Sequence, residues 1–262
     1  MHEHELYHHG ILGQKWGVRR FQNKDGSLTT AGKNRYAEIS DKKIITNSDG
    51  SKTYPKGYVF NRVGQSTLDI NSSGALYVSS GKQDAARYVK SLGPTLIGKL
   101  MGQYGTTVQH ITSSSNLKVP SDDQVSSEVI KLLSSNKKLR ESVNDSIYAM
   151  VLDKDITDSY LNKSKNSLKD SAKLSYVVSS LLADPQYVSE SKIVYDHFRK
   201  LGYDAIPDSH DIMSGTSETA MIIINPSKVN MTSSTAITKD VMKEAKSYVK
   251  TLDKLKVSEL IQ

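Results

Sequence analysis

Apolar and polar residues alternate at residues 57–63 (Gly-Tyr-Val-Phe-Asn-Arg-Val), and residues 75–79 (Ala-Leu-Tyr-Val-Ser) have the composition of a second strand. Such alternation, with β-branched and aromatic residues, predicts half-buried strands. Ser80 and Gln83 have the spacing of a capping box, which predicts a helix over 83–92 that ends at Gly93-Pro94. A short helix over 95–103 and a strand over 106–112 are also expected.

Farther along the chain, apolar residues recur mostly at helical intervals. Ser121 and Gln124 form another capping-box candidate, and the spacing predicts helices from there to about residue 183. A further helix is predicted over 189–201, with its end at Gly202. Strands are predicted over 203–207 and 218–226, the second almost wholly buried, and a last helix over 238–255. These elements predict a mixed α/β protein with one core.

Composition narrows the class of protein. The 262 residues suffice for one large domain. Cysteine is absent, which excludes a disulfide framework and a thiolate metal site. The apolar windows are far shorter than the ~20 residues that a membrane-spanning helix needs, and the first residues lack the apolar stretch of a signal peptide. We therefore expect no membrane association and no export by a signal peptide.

Residues 1–36 are expected to form a basic leader, extended or flexible, ahead of a folded domain over 37–262. Residues 8–20 read His-His-Gly-Ile-Leu-Gly-Gln-Lys-Trp-Gly-Val-Arg-Arg. This segment closely resembles a motif carried by many phage and prophage proteins, often minor virion proteins. The resemblance implies a phage or prophage origin and a location in the virion or the host cytoplasm. It also implies contact with phage structural proteins through residues 7–36, but no chemistry.

Three alternatives for the leader remain open. Its histidines lack a following Cys or His at finger spacing, so an exposed tail is expected rather than a metal site; they are His2, His4, His8 and His9. Trp16 can either dock the leader onto the folded domain or bind a partner. The net charge of +7, together with the leader's basic residues, makes nucleic acid an electrostatically feasible partner.

Polar residues lie on or beside three of the predicted strands. Arg62 ends Tyr-Val-Phe-Asn-Arg, Ser79 and Ser80 end Leu-Tyr-Val-Ser-Ser, and Glu218 begins Glu-Thr-Ala-Met-Ile-Ile-Ile. In this order they resemble the Arg, Ser-Thr-Ser, Glu pattern of ADP-ribosyltransferases. The resemblance covers roughly residues 54–230 and implies an α+β fold with a split antiparallel β core, a helical insertion at about 121–201 and a C-terminal helix.

The same resemblance implies NAD as donor, a host protein or nucleic acid as acceptor, and no metal. Cleavage of the nicotinamide–ribose bond passes through an oxocarbenium-like state, which the Glu218 carboxylate would stabilise. The Arg62 guanidinium would hold the pyrophosphate. Ser79 and Ser80, at a strand end, would hold the strands and the ribose side by hydrogen bonds. Gly81 and Thr216 depart from the family pattern, and the missing acidic or amide residue at 216 leaves the acceptor unknown.

Each candidate also has a purely structural interpretation. Arg62 can pair with Asp69 or Asp204, the two serines can serve only as a helix cap, and Glu218 can be the solvated first residue of an edge strand. A second possible cluster, for a metal or for acid–base chemistry, comprises Asp208, His210 and Asp211, although such a loop is commonly a turn. The alternative function is a non-enzymatic virion-associated or morphogenesis protein that uses the fold as a scaffold.

Overall fold

The computed structural model describes residues 42–94, 104–146 and 168–260. The chain divides into two units, residues 1–42 and 43–262, and the elements below belong to the second. The predicted leader, the helix predicted over 95–103 and residues 147–167 of the predicted helical insertion lie outside the described residues.

Six antiparallel strands form the main sheet. Their order across the sheet is β7-β8-β4-β3-β5-β9. The strands are β3 (Val59–Gly64), β4 (Leu76–Ser79), β5 (Thr107–Ser113), β7 (Ala205–Pro207), β8 (Ala220–Ile223) and β9 (Val229–Ala236). The central strands β3 and β4 share a single residue pair, Asn61 with Ser79, whereas β3 pairs with β5 along its whole length. The sheet is therefore weakly joined at its middle.

A small antiparallel sheet and seven described helices complete the fold. The small sheet has the order β1-β2-β6, with β1 (Ile45–Thr46), β2 (Lys52–Tyr54) and β6 (Leu117–Val119). The helices are α1 (Lys82–Leu92), α2 (Asp122–Ser135), α3 (Lys137–Asp145), α4 (Leu168–Ala183), α5 (Val188–Lys200), α6 (Ser209–Met213) and α7 (Lys239–Leu260). The chain is thus an α+β protein with antiparallel sheets, as predicted.

The main sheet is covered differently on its two faces. On the first, here called the helical face, Ile222 packs against apolar residues of α2 to α5, and Val63 and Val108 pack against α1 and α7. On the second, here called the small-sheet face, Phe60 and Ile111 are fully buried with residues of β2 and β6. Since successive residues of a strand point to opposite faces, neighbours in sequence belong to different cores.

Most predicted elements within the described residues are confirmed, with bounds shifted by a few residues. Ser121 caps α2 in a complete capping box with Gln124. Gly202 terminates helix α5, as predicted, because it follows the C-cap residue Leu201 with a φ of 83° that suits glycine. The Tyr203 amide donates to the Phe198 carbonyl at 3.1 Å, as in a Schellman motif. The capping box predicted for Ser80 is wrong, because α1 has Gly81 at its N-cap and no side-chain cap.

Candidate functional site

A row of polar side chains crosses the helical face of the main sheet. The strand register aligns His110 of β5, Asn61 of β3, Ser79 of β4 and Ala220 of β8 in one continuous line. Paired positions share a face and neighbouring strands lie about 4.8 Å apart, so the line from His110 to Ala220 is about 14 Å long. We call His110, Asn61 and Ser79 the polar row. Two residues farther along the strands, the same face is apolar at Val63 and Val108.

His110 and Asn61 are joined by a hydrogen bond of 3.1 Å between Nδ1 and Oδ1. Burial lowers the pKa of His110 below its ordinary value of 6.5, so the ring is neutral at pH 7. Because a carboxamide oxygen accepts, Nδ1 carries the proton and Nε2 keeps a lone pair. Both side chains are half-buried, so solvent reaches this end of the row.

Ser79 occupies the point where β3 and β4 meet. Its side chain is fully buried, and among the described residues its hydroxyl is the one buried side-chain polar atom without a hydrogen-bond partner. Burying an unpaired hydroxyl costs about 1–3 kcal/mol. The sequence-predicted role of Ser79 in holding strands by a side-chain hydrogen bond is therefore not seen, and as a fully buried group it does not contact solvent.

Glu218 precedes β8 by two residues and lies beside the first turn of α1. Strand β8 is flanked by β7 and β4, so the interpretation of Glu218 as part of an edge strand is wrong. The side chain is 51% exposed, while its backbone amide donates to both carboxylate oxygens of Asp84 at 3.1 Å. Glu218 thus combines a solvent-facing carboxylate with an anchored backbone.

Arg87 is the cation next to Glu218. Both of its terminal nitrogens lie 3.4 Å from Glu218 Oε1, and Nη1 also lies 3.5 Å from Asp84 Oδ1. The Arg87 side chain is only 11% exposed. The guanidinium therefore lies between a buried and a half-exposed carboxylate.

Ser80 meets the Glu218 segment through its backbone. Its amide donates to Thr219 Oγ1 at 3.0 Å. The interpretation of Ser80 as a helix cap is therefore wrong, and the structure does bring the Ser79-Ser80 segment together with the segment that carries Glu218.

Arg62 lies on the other face of the sheet. Its guanidinium donates to Gln109 Oε1 at 3.2 Å, and Gln109 pairs with Arg62 in register on the small-sheet face. Burial lowers the pKa of Arg62, and Asp69 partly opposes that shift. The other suggested partner, Asp204, instead accepts from Lys228 Nζ at 2.7 Å. The structure therefore does not bring Arg62 together with Ser79 or Glu218.

His210 and Asp211 lie in α6, which precedes the Glu218 segment, and Asp208 is the N-cap of this helix. Asp208 caps α6 by accepting from the backbone amides of His210 and Asp211. Burial raises the pKa of Asp208 to about 7, with a further contribution from Asp211. Asp211 accepts a short hydrogen bond from the Tyr88 hydroxyl of α1. The hydrogen bond between Asp211 and Tyr88 connects α6 to α1. Within the three described ranges, no group of three or more His, Asp or Glu side chains is arranged so that it could hold a metal ion.

Sequence reasoning missed several residues of this site: Asn61, Asp84, Arg87 and His110. Asp84 and Arg87 are visible only as an i,i+3 pair in a short helix, which is common on solvated helices. Asn61 and His110 stand next to the apolar residues Phe60 and Ile111, so they read as the polar half of an ordinary alternation. The signal that unites them is the strand register, which a single sequence does not display.

Comparison with protein-family models, with curated proteins and with solved structures finds no match. Within residues 42–94, 104–146 and 168–260, no helix has the length and apolar character needed to span a bilayer.

Proposed function

We propose that this protein is a mono-ADP-ribosyltransferase of phage origin that uses NAD as donor, with Glu218 as the catalytic carboxylate. The single observation that carries the proposal is the state of Glu218: a carboxylate 51% exposed, on a backbone held by the buried Asp84. A carboxylate fixed at one place beside a ribose stabilises the positive charge that develops as the nicotinamide bond breaks, without reorganising first.

The polar row supports a donor-binding role for the helical face. The lone pair of His110 Nε2 and the Asn61 carboxamide offer an acceptor and further donors to the hydroxyls of a ribose. The last residue of the row, Ser79, pairs with Ala220, which is two residues from Glu218. We propose that NAD contacts the half-buried His110–Asn61 pair at one end and the Glu218 carboxylate, with Arg87 beside it, at the other, and that it makes no contact with the buried Ser79 and Ala220 between them.

The roles that the resemblance implies for the other residues divide in two. Ser79 and Ser80 belong to the strand end that adjoins the Glu218 segment, and we propose that they shape this edge of the donor site. Arg62 lies outside the site, so the proposal does not use it as the pyrophosphate ligand. The acceptor is a host protein or nucleic acid.

One observation favours a second candidate, a virion-associated or morphogenesis protein without activity. Arg62 contacts Gln109 on the small-sheet face, whereas Glu218 contacts Arg87 of α1, which packs on the helical face, so one of the three elements on which the transferase resemblance rests is missing from the site. In that case the leader would dock to phage structural proteins and the α+β domain would serve as a scaffold.

Release of nicotinamide from NAD distinguishes the two candidates. The purified protein is incubated with NAD, with and without a lysate of a bacterial host as a source of acceptor. We expect turnover by the unaltered protein and a loss of at least about 100-fold in Glu218→Gln, which keeps the shape of the side chain and removes its charge.

Glu141→Gln is the matched control, because Glu141 is 58% exposed and is paired with Lys137 on α3, as Glu218 is paired with Arg87. It should turn over NAD like the unaltered protein. Equal activity of the Glu218→Gln variant, or no turnover by any of the three proteins under either condition, would favour the scaffold.

A further inference from the structure

Asp84 is buried, charged and far in sequence from every residue that it binds in the Glu218 segment. It is 1% exposed, and it receives hydrogen bonds from residues 133 to 135 positions later in the chain. A buried carboxylate is costly unless its oxygens are fully used. The question is what this arrangement accomplishes.

The three consecutive residues Ser217, Glu218 and Thr219 all donate to Asp84. Oδ2 accepts from Ser217 Oγ at 2.7 Å, from Thr219 Oγ1 at 2.6 Å and from the Thr219 amide at 2.9 Å. The Glu218 amide reaches both oxygens at 3.1 Å. Only the Glu218 side chain is left pointing away from Asp84 toward Arg87 and solvent.

The same carboxylate also orients the cation beside Glu218. Arg87 lies one helical turn after Asp84 and contacts Asp84 Oδ1 at 3.5 Å while both of its terminal nitrogens face Glu218. Because the guanidinium also contacts Asp84, it has fewer orientations available when it contacts Glu218. Asp84 therefore restricts both members of the Glu218–Arg87 pair.

We infer that Asp84 is a positioning residue, which fixes the Glu218 backbone and the Arg87 guanidinium so that the Glu218 carboxylate has one orientation. The inference rests on the proposed function, since a fixed orientation matters for a carboxylate that must face a developing charge. A displacement of about 1 Å of such a group can lower a rate by about 100-fold.

The test uses Asp84→Asn and Asp84→Ala in the full chain. Asn keeps one acceptor oxygen, so it retains some of the donors, whereas Ala leaves all of them unpaired. For Asp84→Asn we expect kcat for NAD cleavage to fall by about 10-fold to about 100-fold with KM for NAD changed less than about threefold. Asp84→Ala should lose more, so that Asn gives a partial rescue.

Asp196→Asn is the control, because Asp196 also pairs with an arginine at i+3, Arg199, at an exposed site on α5. It should leave kcat unchanged. All variants are compared at a temperature well below their melting temperatures, so that unfolding does not enter the rates.

Amide hydrogen exchange at Glu218 and Thr219 gives a second readout that needs no activity. It should accelerate at least about tenfold in Asp84→Asn and stay unchanged in Asp196→Asn. Unchanged exchange overturns the anchoring by Asp84 whether or not NAD is cleaved. Faster exchange with an unchanged kcat overturns the positioning role alone. If the unaltered protein does not cleave NAD, the proposed function is overturned, and with it the role of Asp84 in that reaction. The exchange data still decide whether Asp84 anchors residues 217–219.

Discussion

Arg62 lies within the inner strand β3 and Glu218 lies two residues before the inner strand β8, yet the fold holds these two charged residues in opposite ways. The Arg62 side chain is half-buried on the small-sheet face, where it donates to Gln109 and where burial lowers its pKa. The Glu218 side chain is half-exposed, and it is the backbone of Glu218 that is held. A charged side chain whose ionic group is desolvated is suited to stabilising the fold or to contacting a buried partner. A residue whose backbone is anchored and whose ionic group is solvated is suited to contacting a ligand.

The difference originates in the side-chain alternation of β3. Asn61 pairs with Ser79 and His110 on the helical face, and Arg62 pairs with Gln109 on the other. One position along a strand therefore decides between the polar row and the opposite core.

Phe60→Ala and Asn61→Ala form the strongest comparison. Phe60 is fully buried on the small-sheet face, so truncation should lower the free energy of unfolding by about 3–5 kcal/mol. Asn61→Ala removes one half-buried hydrogen bond, to His110, and should cost only about 1 kcal/mol. Urea unfolding followed by circular dichroism measures both. Similar losses in the two variants would show that the two faces are not energetically distinct.

Asp208 makes the stability of the helical face depend on pH. Folding raises its pKa from 3.8 to about 7, so between these values the folded protein binds more protons than the unfolded chain does. The stabilisation is complete below pH 3.8 and is lost as the pH rises through about 7, with an amplitude on the order of 4 kcal/mol.

Asp208→Asn should remove this dependence, because Asn accepts the same cap hydrogen bonds and does not titrate. Melting temperatures of the two proteins are compared from about pH 4 to about pH 8. This range covers the interval between the pKa of 3.8 in the unfolded chain and the pKa of about 7 in the folded protein. The variant should gain on the unaltered protein as the pH rises. Parallel profiles would mean that Asp208 keeps an ordinary pKa in the folded protein.

Local signals in the sequence carried most of the secondary structure. The capping box at Ser121 involves residues three positions apart, and it forms as predicted. The similar signal at Ser80 fails, because the Ser80 amide donates to Thr219, 139 positions away, and the N-cap of the helix is Gly81 instead of Ser80. Strand β9 was missed because its exposed Ser and Thr residues weaken the alternation on which a strand prediction relies.

The candidate site could be predicted only in part for the same reason. Glu218 and the Ser79-Ser80 segment were found because each directly adjoins an apolar strand in sequence. Asp84 was not, since its importance comes from contacts with residues 217–219 that only the folded chain creates. The expectation that Arg62 would join them assumed a common face, and the face depends on a register that one sequence does not reveal.

The central claim is that NAD binds at the half-buried His110–Asn61 end of the polar row and not beside Arg62. Gln109 and His110 test it directly, because they are neighbours in β5 whose side chains contact Arg62 and Asn61 on opposite faces. NAD is titrated into the Glu218→Gln variant, which should bind without turnover, and the His110 ring and Gln109 side-chain amide signals are followed by NMR. We predict that the His110 ring signals shift saturably with added NAD while the Gln109 side-chain amide signals stay unchanged. Shifts of the Gln109 amide with an unchanged His110 ring would contradict the account.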